Sequence, residues 1–141
     1  MGDPTGIGPE IIMKALADED LQSLARFVIY GANAPLMLAA DHAGIEPFWY
    51  RVPADSDRIE SPIDEPVIVH DYQEFGDLLR LPREPNRYGG AASKRFVEDA
   101  ISDCLSDAPT PRRIDAMVTA PISKQAWRLA GFKWPGHTEL I

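Results

Sequence analysis

Short β-rich runs alternate with helical stripes along this chain, and that alternation limits the fold to layered α/β arrangements. "RFVIYG" (Arg26–Gly31) is a β-rich run stopped by glycine, and "APLMLAADHAG" (Ala34–Gly44) follows as a helix with its own glycine stop. "FWYRV" (Phe48–Val52) and "PVIVH" (Pro66–His70) are two further strands, separated by the polar, proline-containing loop "PADSDRIESPIDE". A second loop, "LPREPNRYGG" (Leu81–Gly90), leads into the longest helix. There the pairs Phe96/Val97, Ala100/Ile101 and Cys104/Leu105 step by four residues, which predicts one buried stripe on a helix from Ala91 to about Ser106. "IDAMVTAP" (Ile114–Pro121) reads as a strand ending in a turn, and "ISKQAWRLAGF" (Ile122–Phe132) as a helix with a glycine stop. "KWPGHTEL" is a loop that starts another helix near Thr138. The expected architecture is a layered α/β/α fold with a mainly parallel sheet.

In such sheets ligands bind at the carboxyl ends of the strands, in the turns that lead to helices. The rule points to Gly2–Pro9, Thr119–Lys124 and Gly136–Thr138. The first of these, in "MGDPTGIGPE", opens a helix predicted from Pro9 to about Asp18, with Gly8 at the N-cap and Glu10 near the positive helix end. That helix carries Ile11, Ile12, Ala15 and Leu16 on one face. A Walker A loop needs Gly-Lys-Ser/Thr after its last glycine, but Pro9-Glu10 follows Gly8. A dinucleotide fingerprint begun at Gly6 fits Gly8 but places Ile11 where its third glycine belongs. Two readings remain: backbone amides freed by Gly2, Gly6 and Gly8 approach a ligand at a helix N-terminus, or the glycines only relieve sterics in a tight turn. Asp3 is a carboxylate in this turn and a candidate pocket residue. A turn of this kind should follow a strand, so a strand is expected before Met1.

"PGHTE" gathers His137, Thr138 and Glu139 behind a Pro-Gly turn. Histidine acts as an acid or base near neutral pH, and threonine donates to phosphate or carboxylate. The local reading makes Thr138 an N-cap, Glu139 a first-turn residue and His137 an exposed loop residue. Lys124, after "VTAPIS", is either a solvated first-turn residue or an anion contact. His42 sits beside Asp41 in a polar helix segment, and His70 ends an apolar strand. Neither pairs with another histidine at metal-ligand spacing, so no metal site is expected within this chain.

A length of 141 residues suits one domain, and 45% hydrophobic with 26% charged residues is an ordinary globular balance. The net charge of −8 disfavours nucleic acid and anionic membranes as partners, though not a small anionic ligand. The single cysteine, Cys104, precludes an intrachain disulfide, fits a cytoplasmic location, and lies in the helical stripe as buried filler. The sequence has no apolar run of spanning length and no signal-like start.

Together, "MGDPTGIGPEI" at the start, "DAMVTAPISK" at 115–124 and "AGFKWPGHTE" at 130–139 resemble the 4-hydroxythreonine-4-phosphate dehydrogenase family in order, spacing and content. The resemblance covers the whole chain, but family chains are more than twice as long. It therefore implies that residues 1–141 are the N-terminal part of a two-lobed dehydrogenase, similar in fold to isocitrate and isopropylmalate dehydrogenases. The first strand and the C-terminal part would lie outside it. It implies oxidation of the 3-hydroxyl of 4-phosphooxy-threonine with NAD or NADP, in a homodimer. It also implies a divalent metal (zinc, magnesium or cobalt) held by three histidines beyond Ile141. The histidine and threonine of Gly-His-Thr-Glu are substrate contacts in the family, and they carry over to His137 and Thr138. Asp3 and Lys124 stay as candidates.

Two other activities compete with this one. Related enzymes oxidise phosphorylated four-carbon sugar acids, which these motifs do not separate from hydroxythreonine phosphate. Phosphate acyltransferases share the layered fold and would need coenzyme A instead. As an isolated piece, the chain is expected to be inactive and only marginally stable.

Overall fold

The computed structural model describes residues 1–107 and 110–141. Its centre is a three-stranded parallel sheet of β1 (Phe27–Gly31), β2 (Tyr50–Pro53) and β3 (Val67–Asp71), in the order β1-β3-β2. Phe27 pairs with Val67 and Gly31 with Asp71; Tyr50 pairs with Ile68 and Pro53 with Asp71. All five residues of the central β3 are buried, as a parallel strand covered on both faces requires. One face of the sheet presents Ile29, Val67 and Val69 to α1 (Gly8–Leu16) and α3 (Asn33–Ala43), where they meet Met13, Leu16, Leu36 and Ala40. The other face packs Tyr30 against Ala92, Phe96 and Ala100 of α4 (Arg87–Cys104), and Val52 and Ile68 against Ile59 and Ile63. Helices on both faces of a parallel sheet are the layered α/β fold that the alternation predicts. Asp71, where β3 ends, supplies the cap that α3 lacks. Its Oδ1 accepts from the Asn33 amide at 2.7 Å and its Oδ2 from Arg51 Nε at 2.6 Å.

Several local expectations need correction. In α1 the N-cap is Ile7, with Gly8 and Pro9 already helical. Its buried line is Pro9, Met13 and Leu16, whereas Ile11 is 44% exposed and Ala15 is exposed. The helix docks on α3 along that i, i+4, i+7 line, so the Ile11–Ala15 edge faces outward. A short α2 (Glu19–Leu24) follows, capped by Asp18, which accepts from the amides of Asp20 and Leu21; it has no buried residue and so left no apolar stripe to read. The α4 stripe ends at Ala100. Cys104 is only half-buried and Leu105 is 75% exposed, because the last turn turns Asp103 inward instead.

The largest correction concerns Ile114–Pro121, which forms no strand. Ile114 and Met117 pack on the Tyr30–Phe96 cluster, but Val118 is 95% exposed. A strand needs a neighbour to pair with. At this edge of the sheet residues 1–3 intervene: the Met1 amino group donates to the Tyr30 carbonyl at 2.7 Å, and the Asp3 amide to the Pro121 carbonyl at 3.0 Å.

Beneath α4 lies a buried polar cluster. Asp103 Oδ2 accepts from the Tyr30 hydroxyl at 2.7 Å and from Arg112 Nε at 3.0 Å, and Arg112 also reaches Glu60 at 3.5 Å. Burial, then the hydrogen bond to Asp103, raises the Tyr30 pKa far above its ordinary value, so the phenol stays protonated and donates. His70 packs edge-on against the Tyr30 ring at 5.2 Å. Burial, then the Arg112 charge, lowers its pKa from 6.5 to about 4, so the folded imidazole is neutral at pH 7. The unfolded chain therefore binds a proton from pH 6.5 downward that the folded chain refuses until about pH 4.

Helices α4 and α5 (Lys124–Leu129) touch backbone to backbone. A Cβ on Gly90 would collide with the Ala126 carbonyl oxygen and lie 3.1 Å from the Ala130 Cβ. In an open helix, Gly→Ala stabilises by about 1 kcal/mol. Here the overlap with fixed backbone reverses the sign.

Gly90→Ala should therefore destabilise the chain by about 1–3 kcal/mol in urea unfolding; a gain in stability would show that the two helices part without cost. Stability should also be fully present above pH 6.5 and fall toward pH 4, with His70 responsible for on the order of 3 kcal/mol. The decisive measurement is thus the difference in pH dependence between wild type and His70→Gln. Identical slopes would remove His70 as the cause.

Candidate functional site

The three turns singled out by the strand-end rule meet at one place. Gly2 has φ +76°, which favours glycine, and its Cβ position is filled by the Pro121 and Ala120 carbonyls. The Met1 carbonyl likewise occupies the Cβ position of Gly8. On the far side of the 120–123 turn, Ser123 caps α5 by accepting from the Ala126 amide at 3.1 Å, which sets Lys124 as the first helical residue, exposed. Lys124 Cε and Nζ lie 3.4 and 3.9 Å from the point where a Gly136 side chain would begin, and Glu139 Oε2 lies 3.3 Å from it. Lys124 and the Gly136–Glu139 turn are thus neighbours although separated in sequence.

His137 opens α6 (His137–Leu140), half-buried, with its ring edge-on to Trp127 at a centroid distance of 5.3 Å. Its pKa is lowered by burial, so the ring is biased toward its neutral form. This differs from an exposed loop histidine, and the reason is the indole beneath it. Thr138 is exposed and is not the N-cap; that position belongs to Gly136, which has no side chain to bond with.

Asp3 is 4% exposed and reaches the same junction, but Thr5 engages it. Its Oδ1 accepts from the Thr5 amide at 2.9 Å and the Thr5 hydroxyl at 2.8 Å. The first turn of α4 presses on this pair: a Cβ on Gly89 would sit 2.7 Å from Asp3 Oδ1, and Asn86, which caps α4, donates to Thr5 Oγ1 at 3.5 Å. The Asp3 amide donates to Pro121, and the Gly6 amide to the Asp3 carbonyl at 3.1 Å. The glycine turn is therefore closed on the protein itself. Of the two readings left open by the sequence, this geometry favours the steric one: the amides of Asp3, Thr5 and Gly6 already have partners, and carbonyl oxygens fill the Cβ positions of Gly2 and Gly8.

Beside this turn a groove of about 420 Å³ runs between α1, α3 and the short 3₁₀ turn Leu78–Arg80, with Lys14, His42 and Arg83 among its lining. His42 is exposed there, as expected for a polar helix face, and His70 is remote from it in the sheet. Among the described residues, no three His, Cys, Asp or Glu side chains gather as a metal site. No helix among them is long and apolar enough to cross a membrane. Sequence reasoning passed over Asn86, Ser93 and Trp127, which hold this junction together. Nothing local marks them, because their partners lie on other elements.

A parallel sheet between helical layers, with its polar turns gathered beside the sheet edge, defines a layered α/β protein. The model of the pyridoxal phosphate biosynthetic protein PdxA matches residues 24–141, and the chain belongs to that family. It is 33% identical to a 4-hydroxythreonine-4-phosphate dehydrogenase of Trichlorobacter lovleyi and 35% identical to one of Synechococcus sp., covering 100% of this chain and 40% and 36% of those proteins. It is equally similar, at 35% identity over 100% of this chain and 38% of the other, to a D-threonate 4-phosphate dehydrogenase of Bordetella bronchiseptica. A solved structure of a Salmonella typhimurium protein assigned as 4-hydroxythreonine-4-phosphate dehydrogenase superposes with a TM-score of 0.73 at 31% identity, over 99% of this chain and 41% of that one. The chain thus spans about 40% of the length of the curated relatives it matches.

The convergence of turns rests on Gly2, which yields a sharp test. Gly2→Ala forces an alanine to φ +76° and into two carbonyl oxygens, so unfolding should become easier by about 2–4 kcal/mol. Protease cleavage within 119–123 should rise in parallel. Unchanged stability together with an intact 119–123 segment would mean that the turns do not depend on one another.

Proposed function

We propose that the protein containing this segment oxidises the 3-hydroxyl of 4-hydroxythreonine 4-phosphate, with NAD or NADP as hydride acceptor and a divalent metal (zinc, magnesium or cobalt) as a further requirement. The β-keto acid so formed loses carbon dioxide to give 3-amino-2-oxopropyl phosphate, on the route to pyridoxal phosphate. The observation that carries this reading is the family match across 24–141 together with a His137–Thr138 pair beside Lys124. In this reading the segment's own part is substrate binding. His137 and Thr138 contact the substrate, and the exposed Lys124 ammonium favours an anionic group nearby. Asp3 serves the pocket by fixing the turn next to it. The metal and the nicotinamide would be held by residues outside the described set. The working form in this reading is a cytoplasmic homodimer.

A second reading, oxidation of a phosphorylated four-carbon sugar acid, is favoured by one observation: likeness to the D-threonate 4-phosphate dehydrogenase is as high as to the hydroxythreonine phosphate enzymes. The two substrates differ in carrying an amine or a hydroxyl at carbon 2. Comparing kcat/KM for both on the full-length protein, with NAD and with NADP, separates them. A preference for the sugar acid would replace the first reading, and turnover undiminished after EDTA treatment would remove the metal.

His137→Ala in the full-length protein should lower kcat/KM by about 10- to 150-fold, the loss of one charge-assisted contact of about 1.5–3 kcal/mol. Its melting temperature should fall only slightly, since a half-buried ring on Trp127 contributes little core. An unchanged kcat/KM would return His137 to a structural role.

A further inference from the structure

We infer that Trp127 is a positioning residue: its indole, held by Ser93, fixes the orientation in which His137 meets substrate. The inference rests on the reading of His137 as a substrate contact. Trp127 is 1% exposed, and its Nε1 donates to Ser93 Oγ at 2.8 Å. Ser93 is itself 1% exposed and donates onward to the Gly90 carbonyl at 3.1 Å. That carbonyl lies in the turn of α4 where Gly90 meets the Ala126 backbone, so the indole is anchored to the close crossing of α4 and α5. Phe132 closes against the indole at 5.9 Å, and Lys94 Nζ lies 4.3 Å over the Phe132 ring. The indole is thus fixed in position by packing and in rotation by one hydrogen bond.

His137 meets this fixed plane at 83°. Among the described residues, its imidazole nitrogens form no hydrogen bond, so the edge-on contact with Trp127 is the interaction that orients the ring. This arrangement leaves both nitrogens available for a ligand. An aromatic edge contact contributes about 0.5–1.5 kcal/mol beyond its buried area, enough to select one rotamer of a residue placed behind a Pro-Gly turn. The charged groups around the same turn are Lys124 of α5 and Glu139 of α6. Burial against the indole also bears on protonation: it lowers the His137 pKa, which keeps a nitrogen free to accept.

The test uses the full-length protein and three variants. Trp127→Leu removes the ring, Trp127→Phe keeps a ring without the N–H, and Ser93→Ala removes only the anchor. Each is read by kcat and KM, and by NMR titration of the His137 imidazole, assigned by the signal lost in His137→Gln. Trp127→Leu should raise KM about tenfold or more with a smaller fall in kcat, since misplacing a contact group by about 1 Å is enough. Its His137 pKa should move up toward 6.5. Trp127→Phe keeps an edge-on ring but loses the anchor, so its KM and its His137 titration should both fall between those of the wild type and Trp127→Leu, close to those of Ser93→Ala. If Trp127→Leu does not fold, Ser93→Ala decides: a raised KM and a shifted titration support the inference, and wild-type values of both overturn it. If the protein turns over neither phosphorylated acid, the proposed activity fails, while the titrations of the same variants still decide whether Trp127 positions His137.

Discussion

The contact between Gly90 and the Ala126 carbonyl is the constraint on which the site depends. It lets α4 and α5 cross at backbone distance, which a side chain at position 90 would forbid. Three polar anchors are then hung from α4. Its N-cap, Asn86, reaches Thr5 in the glycine turn, Ser93 in its second turn holds Trp127, and Asp103 in its last turn receives the Tyr30 hydroxyl. One helix therefore ties the first strand, the opening turn and the C-terminal segment into a single frame.

The frame is held by polar groups that are buried and paired. Asp71 caps α3 and receives Arg51, Asp103 gathers Tyr30 and Arg112, and Tyr72 donates to Asp99 at 2.7 Å. Among the described residues, no fully buried side-chain nitrogen or oxygen is left without a partner. Paired in this way, such groups fix the relative placement of elements more sharply than apolar packing alone, because a slip in register would strand a carboxylate. His70 is the member of this set that changes charge within an accessible pH range.

Much of the fold was legible because it follows from periodicity. The runs around Phe27–Gly31 and Val67–Asp71, and the helices beginning near Pro9 and Ala34, appeared with ends close to those observed, whereas α4 begins at Arg87, inside the expected loop Leu81–Gly90, and α5 covers only Lys124–Leu129 of the expected Ile122–Phe132. What failed were properties set by neighbours. Ile11 and Ala15 satisfy a helical stripe as well as Pro9, Met13 and Leu16 do, and only the presence of α3 chooses between the two faces. Ile114–Pro121 has the composition of a strand but no partner at its edge, and composition cannot supply one. At the candidate site, His137, Thr138 and Lys124 were visible as residue types in strand-end turns. The indole under His137 and the hydroxyl that holds it were not, since Ser93 and Trp127 stand on different helices.

The closed glycine turn has a consequence for how this scaffold can vary. Gly2 and Gly8 answer to carbonyl oxygens of residues 1, 120 and 121, and the amides of Asp3, Thr5 and Gly6 to Asp3 and Pro121, so the architecture itself constrains this stretch of sequence. The groups free to face a ligand, such as Lys124 and Thr138, sit on the adjoining turns. In the proposed reading, architecture and chemical selectivity are thereby carried by separate stretches of chain. A change of substrate can be made on one stretch while the other stays as it is, and a chain can be equally akin to two enzymes that act on different phosphorylated acids.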